Sequence, residues 1–288
     1  MMALTVVLLA GALLHLLGRR RPVAAGYGQA QTGATGDADK EHCVVGIYNI
    51  HRARGLDGRR DLGRIAQVLR QADVVGLCEV EGPQTRWHRD QADKLGQTLR
   101  LGALFAPCQQ RWGRQDRGNG LLFRPSLTRW YREPLPDSTG THPRCLLTAE
   151  LTVAGQSLAV MVTHLARRQD QAIQLETVLA RFMAQPRAVL MGDFNVAADY
   201  PLLQRFLQTH PQVDAVRLAR VPDDPGRIEW ILARGVDVLE GGMAPSGPSD
   251  HPFYWVTVKP RQEPVVVPLR GRELPAPVWL PARRQGHQ

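Results

Sequence analysis

At 288 residues, 43% hydrophobic and 22% charged, the chain is long enough to bury a substantial core and reads as one large domain rather than several small ones. Moderate charge and frequent apolar runs exclude wholesale disorder, and a single long apolar stretch excludes a polytopic membrane protein. Of the net charge of +9, Arg19–Arg21 and residues 261–288 each supply +3 and residues 22–41 carry −2, which leaves about +5 on 42–260, a balance that suits an anionic substrate without selecting one.

Ala3 to Leu17 (ALTVVLLAGALLHLL) is apolar apart from His15 and is followed by Gly18 and three arginines. About 20 apolar residues cross a bilayer, so this run needs Met1, Met2 and snorkelling arginines to help it. Residues 1–21 are expected to form a single N-terminal membrane anchor or a signal segment. No basic residue precedes the run and three follow it, so the charge rule keeps an anchored domain cytoplasmic, whereas cleavage beyond Val23 and Ala25 would export it. Residues 22–41 are small and polar with no period, and read as a flexible linker.

The stretch 42–260 is expected to be the working domain. CVVGIY (43–48) ends at Asn49, VVGLC (74–78) at Glu79, SLAVMVT (157–163) at His164, and AVLMG (188–192) at Asp193-Phe194-Asn195, while FYWVTV (253–258) starts after Asp250 and His251. These short, β-branched runs predict buried strands. Leu62, Ile65, Ala66 and Leu69 behind Asp61 predict a capped helix over 61–70, residues 169–184 predict another, and Asp199 is expected to cap a third before Leu202. Six prolines interrupt the end of the chain, so 261–288 is expected to be an extended tail. The four cysteines (Cys43, Cys78, Cys108, Cys145) contain no CxxC pair and are expected to fill core rather than build a disulfide scaffold or a zinc site. If the polar strand ends meet at one rim, they supply carboxylates, amides and imidazoles suited to a hard divalent cation and proton transfer.

The ordered set Tyr48-Asn49-Ile50-His51, Leu77-Cys78-Glu79-Val80, Arg117-Gly118-Asn119-Gly120, Thr163-His164-Leu165, Gly192-Asp193-Phe194-Asn195, Arg227-Ile228-Glu229-Trp230-Ile231-Leu232 and Ser249-Asp250-His251 resembles the endonuclease/exonuclease/phosphatase superfamily. Its members include deoxyribonuclease I, abasic-site endonucleases, sphingomyelinases and inositol polyphosphate 5-phosphatases. The resemblance implies an α+β fold, a four-layer α/β/β/α sandwich of two mixed β-sheets flanked by helices. It implies hydrolysis of a phosphodiester by metal- and His-assisted water attack, with Mg²⁺ as the cofactor and Mn²⁺ as its alternative. Glu79, Asn49 and Asp250 are implied at the metal. Asp193 would orient or deprotonate the attacking water, with Asn195 bonded to it. His251, held by Glu229, would contact the scissile phosphate, and His164 would hold its opposite side and serve the leaving group. Asn119, Arg117 and Arg167 are expected to bind substrate.

Two positions depart from the family pattern: Cys78 stands where Gln is usual before the metal Glu, and Glu229 where Asp is usual. The extra methylene moves the carboxylate outward by about 1.5 Å, enough to disturb a His–carboxylate pair unless the backbone compensates. Arg111, Arg114 and Arg117 around Trp112 suit phosphates and a stacked base, whereas an anchor suits a phospholipid headgroup. Nucleic acid and phospholipid therefore both stand as substrates of an expected monomer. The rival reading is a catalytically inactive, membrane-tethered binding module of the same fold, whose mark would be loss of the metal Glu or the GDFN Asp; Glu79 and Asp193 are both present.

Overall fold

Two mixed β-sheets face each other, as a computed structural model of the chain shows. It describes residues 6, 10–11, 20–31, 40–84, 88–111, 115–140, 143–222 and 224–263. The strands are β1 (Arg20–Pro22), β2 (Gly26–Gln31), β3 (Cys43–Asn49), β4 (Val74–Glu81), β5 (Gly102–Arg111), β6 (Arg117–Phe123), β7 (Ser126–Pro134), β8 (Cys145–Val153), β9 (Gln156–His164), β10 (Ala188–Asp193), β11 (Glu229–Arg234), β12 (Val236–Ala244) and β13 (Phe253–Pro260). One sheet has the order β1-β5-β6-β4-β3-β13-β12, the other β11-β10-β9-β8-β7-β2. Helices α1 (Leu62–Leu69) and α2 (Gln91–Leu99) pack outside the first sheet, and α3 (Gln171–Met183) and α4 (Pro201–Thr209) outside the second. A short helix, α5 (Ala215–Leu218), adds Ala215 and Val216 to the apolar layer between the sheets. The expected four-layer sandwich is the fold observed.

The central strands of each sheet are buried on both faces. In β3, Val45 and Ile47 enter the layer between the sheets while Tyr48 joins the layer beneath α1 and α2; in β9, Val160 and Val162 face inward and Met161 faces α3. Two apolar faces are why these strands read as unbroken runs instead of alternating ones. Asp61 caps α1 as expected, accepting from the backbone N–H groups of Gly63 and Arg64. Asp199 does not cap α4; Tyr200 holds the cap position without a side-chain bond, and Pro201 at the first helical position sets the start through its fixed φ. Helix α2, capped by Asp90, and strands β5 to β8 were not predicted from period.

Two expectations are corrected. The segment read as a flexible linker, 22–41, is partly strand: Gly26–Gln31 pairs antiparallel with β7, and Pro22 continues a short strand, Arg20–Pro22, that begins in the segment read as an anchor and pairs with the end of β5. Main-chain pairing at two free sheet edges, rather than apolar period, recruits it. Gly28 is needed there because a Cβ would lie 2.3 Å from the Trp130 indole nitrogen. The cysteines are not all core filler either, since Cys108 and Cys145 form a disulfide while Cys43 and Cys78 are free and buried. The anchor expected over 1–21 falls mostly outside the described residues, as does the tail beyond 263; among the described residues no helix is long and apolar enough to cross a membrane.

Strand direction then gathers the polar ends. Strands β3 and β4 run parallel, as do β9 and β10, so Asn49, Glu79, His164 and Asp193 all emerge where these strands finish. Strand β11 is antiparallel to β10 and begins at Glu229 opposite Asp193; β13 is antiparallel to β3 and begins just after His251. The starts of β6 and β8, at Arg117 and Cys145, complete the same rim.

Candidate active site

Local backbone distortion aims several of these groups. Glu79 sits in a bulge of β4, between Leu77 and Val80, with φ 56°. A bulge with a left-handed residue turns its side chain away from the regular alternation. His51, Arg52, Ala53 and Asn195 also have positive φ. Such conformations cost on the order of 1 kcal/mol or more each for non-glycine residues and collect where surrounding structure holds a functional geometry. Gly192 precedes Asp193 because a Cβ there would lie 2.2 Å from the Thr163 carbonyl oxygen of the neighbouring strand.

At the centre, Asn49 Nδ2 donates to Asp193 Oδ2 at 3.0 Å, joining the two sheets, and lies 3.3 Å from His251 Nε2. Asn195 contacts Asp193 through its backbone, N–H to Oδ1 at 3.0 Å. Its side-chain amide instead donates to the Leu165 carbonyl and accepts from Arg167 Nε. His251 Nδ1 is bonded to Glu229 Oε1, which leaves Nε2 facing the rim. The longer Glu side chain reaches His251 because Glu229 starts its strand directly opposite Asp193 and is itself buried. Cys78, fully buried, donates its thiol to the Thr163 carbonyl at 3.3 Å, so the position bonds across the sandwich and not toward the metal residues.

The two imidazoles are held in opposite states. Burial lowers the His251 pKa, but the Glu229 hydrogen bond and the charges of Glu229, Asp193 and Asp250 together outweigh it and push it up to about 9. His164 is driven well below the usual histidine value, first by burial and then by the cations Arg144, His251 and Arg167. It is therefore neutral, with Nε2 3.4 Å from Asp193 Oδ2, and offers a hydrogen bond rather than a full positive charge. Burial and the facing Glu229 raise the Asp193 pKa above the ordinary aspartate value, against the charge of His251 and the bonds from Asn49 and Asn195.

A run of contacts leads from Asp250 through His51 and Arg52 to Glu79: Asp250 Oδ1 lies 3.2 Å from His51 Nδ1, Arg52 Nη2 contacts His51 Nε2, and Arg52 Nε lies 3.6 Å from Glu79 Oε2. His51 Nδ1 and Arg52 Nε are buried and complete no hydrogen bond among the described residues. Such orphaned polar atoms beside two accessible carboxylates fit a polar ligand shell; Glu79, Asp250 and Asn49 offer oxygens, the donor type a hard divalent cation takes, the Asn49 oxygen also accepting from the His51 backbone N–H at 3.1 Å. Asp193, Glu229 and His251 also lie close enough to share an ion, with ligand atoms within 4.8 Å of one another. Both Asp193 oxygens already accept hydrogen bonds, from Asn49 and the Asn195 backbone, and His251 Nδ1 is held by Glu229, so this cluster suits proton transfer better, with His251 Nε2 left toward the rim.

Beside Glu79 and His164 a cavity of about 170 Å³ is lined by Arg117, Gly118, Asn119, Arg144 and Cys108. Arg117 and Asn119, the residues expected to bind substrate, both line this cavity, and the Asn119 amide also donates across the sandwich to the Cys145 carbonyl at 3.0 Å. Arg167 is exposed, hydrogen-bonded to the Asn195 side chain, and acts on His164 through its charge. Of the expected arginine cluster, Trp112 and Arg114 lie outside the described residues, as does the side chain of Arg111. Arg144, His51 and Arg52 were missed as site residues. His51 stands inside a recognised motif, but nothing in sequence marks Arg144, which earns its place only from where β8 begins.

A sequence profile of the endonuclease/exonuclease/phosphatase family matches residues 46–251. No curated protein matches the sequence. Among solved structures, an endonuclease/exonuclease/phosphatase family protein from Leptotrichia buccalis is 17% identical, with a TM-score of 0.62 over 74% of this chain and 98% of that one. The human nocturnin catalytic domain with bound sulfate is 17% identical, with a TM-score of 0.56 over 83% and 98%. A mannosyl-6-phosphatase from Bacteroides thetaiotaomicron is 16% identical, with a TM-score of 0.57 over 75% and 98%. At these identities the likeness is one of fold.

Proposed function

Because this chain belongs to the endonuclease/exonuclease/phosphatase family, whose members are phosphoester hydrolases, we propose that it is a Mg²⁺-dependent phosphodiesterase, with Mn²⁺ as an alternative metal. The observation that carries the reading is the coupled group at the rim: Asp193 bonded to Asn49, and His251 bonded to Glu229. Asp193 accepts the proton of the attacking water while Asn49 and the Asn195 backbone N–H hold its carboxylate in place. The imidazolium of His251, kept charged by Glu229, faces the phosphoryl oxygens through Nε2. Neutral His164 donates a hydrogen bond, and Arg144 and Arg117 bring positive charge to the adjoining cavity. Glu79, Asp250 and Asn49 would hold the metal, which when bound offsets the charge that builds on the phosphorus oxygens.

The substrate is a nucleic acid strand or a phospholipid headgroup, both of which present a phosphodiester to the arginine-lined cavity. One structural neighbour is a mannosyl-6-phosphatase and another, D. rerio TDP2, was solved in complex with a single-strand DNA product, so shared fold does not choose between classes. Residues 1–21 tether the protein to a membrane in this reading, on the strength of the apolar run 3–17. A side-by-side assay of plasmid DNA, single-stranded oligonucleotides, phospholipid vesicles and bis-p-nitrophenyl phosphate with Mg²⁺ or Mn²⁺ tests it. Metal-dependent cleavage of at least one phosphodiester is expected; failure on all four would overturn the reading.

A further inference from the structure

We propose that the Cys108–Cys145 disulfide is a positioning element of this active site, and that a dithiol which opens it slows turnover by loosening Arg144. The proposal rests on the phosphoesterase reading for its effect on turnover, but not for its effect on anion binding. Cys108 lies in β5 of one sheet and Cys145 opens β8 of the other, so the bond ties the two sheets together covalently, 37 residues apart in sequence. It does so at the rim. Cys108 lines the cavity that also contains Glu79, His164 and Arg144, and Arg144 is the residue next to Cys145.

The bond's surroundings all bear on that cavity. The Cys145 carbonyl accepts from Asn119 Nδ2 of the opposite sheet at 3.0 Å and from Thr163 Oγ1 at 3.2 Å. Pro143, on the other side of Arg144, lines the cavity and has a fixed φ. Among the described residues, Arg144 Nε is buried without a hydrogen-bond partner, so the side chain depends on its backbone for placement more than a fully bonded guanidinium would. Its desolvated charge already acts on His164 and Asp193. Opening the disulfide leaves other bonds across the sandwich in place, from Asn49 to Asp193 and from Cys78 to Thr163. The expected response is a local loosening at the start of β8, not separation of the sheets.

The chemistry balances with a dithiol as reductant. Its thiolate attacks one sulfur of the disulfide, the S–S bond breaks, and a mixed disulfide forms with release of one cysteine thiolate. The second thiol of the reductant then displaces the other cysteine, leaving two protein thiols and a cyclic oxidised reductant. The cavity gives a small dithiol an approach to Cys108. Cys78 is an inert neighbour, because complete burial raises its pKa far above that of a free thiol.

The test uses the full chain, oxidised or treated with dithiothreitol and freed of it, with thiols counted by alkylation and mass spectrometry. Two readouts are followed: kcat on the best substrate, and binding of inorganic phosphate by calorimetry, which needs no turnover. Reduction is expected to weaken phosphate binding and lower kcat, each by about tenfold, on the scale that small misplacements of a charged group cost, with recovery on reoxidation and a thermal transition that stays cooperative. The double variant Cys108→Ser with Cys145→Ser should match the reduced enzyme and ignore dithiol. In Arg144→Ala, where the group being positioned is gone, reduction should change phosphate binding by less than about twofold. Four alkylatable thiols in the untreated protein would overturn the proposal, as would unchanged phosphate binding after verified reduction. An equal response in Arg144→Ala would reduce the disulfide to a general structural staple and also overturn it. An oxidised protein that cleaves no phosphodiester, yet binds phosphate in this redox-dependent way, would contradict the phosphoesterase reading alone.

Discussion

Glu229 and His251 make the most exposed residue-scale claim, because an extra methylene separates this pair from its usual form. His251 stays protonated up to about 9 only while Glu229 is charged beside it. Turnover is therefore expected to fall on the alkaline side as pH rises through about 9, and on the acid side as Asp193 gains a proton above the usual aspartate range. Glu229→Gln should move the alkaline limb toward acid and lower kcat by about 10²-fold, on the scale of acid–base contributions. The same linkage has a sign in stability: a raised histidine pKa stabilises the fold fully below the unfolded value of about 6.5 and ceases to do so as pH climbs past the folded one, so Glu229→Gln should flatten the loss of stability between them. A pH–rate profile with an NMR titration of His251 checks this, and an unchanged profile would make Glu229 a bystander. The pair was legible in sequence because both residues sit in recognisable motifs at strand ends. Arg144 was not, since its importance comes from burial beside His164 and from the register of β8, neither of which sequence spacing encodes.

Elements place these residues, and single backbone positions place the elements. Gly192 lets β10 pass β9 closely enough for Asp193 and His164 to stand side by side in register. Gly192→Ala should force the strands apart and cost about 1–3 kcal/mol, the range for overpacking a filled interior, with a loss of activity larger than stability alone explains; denaturant unfolding and kcat measured together decide it. A fully stable, fully active variant would mean that the strand has room to shift. Strands such as β3, β9 and β10 could be read because apolar runs with β-branched residues survive burial on both faces. Strand β7 could not, since most of its residues are only partly covered and its sequence shows no clear alternation. Strand β2 was hidden for a related reason: GYGQAQ contributes main-chain hydrogen bonds to an edge, and that contribution leaves no hydrophobic pattern.

For the whole molecule, β1 and β2, both before residue 42, pair with the sheets that hold the site. A chain beginning at 42 leaves the edges of β5 and β7 open, and open edges invite self-association. Relative to a chain beginning at 20, it should melt several degrees lower, on the scale of about 2–4 °C per kcal/mol for a domain of this size, and aggregate more readily; scanning calorimetry and light scattering test both. Equal melting temperatures would make the two strands dispensable decoration. The same chain beginning at 20 should be soluble after alkaline carbonate extraction while the full chain stays with the membrane pellet, and release of intact full-length protein would count against the tether. The central claim is metal-dependent hydrolysis at the rim where Glu79, Asp193 and His251 meet, and the most direct measurement is the hydrolysis of bis-p-nitrophenyl phosphate by the full chain with and without EDTA, beside Glu79→Gln. The account predicts that EDTA abolishes turnover, that Mg²⁺ or Mn²⁺ restores it, and that Glu79→Gln is folded but responds weakly to metal; full turnover in EDTA would contradict it.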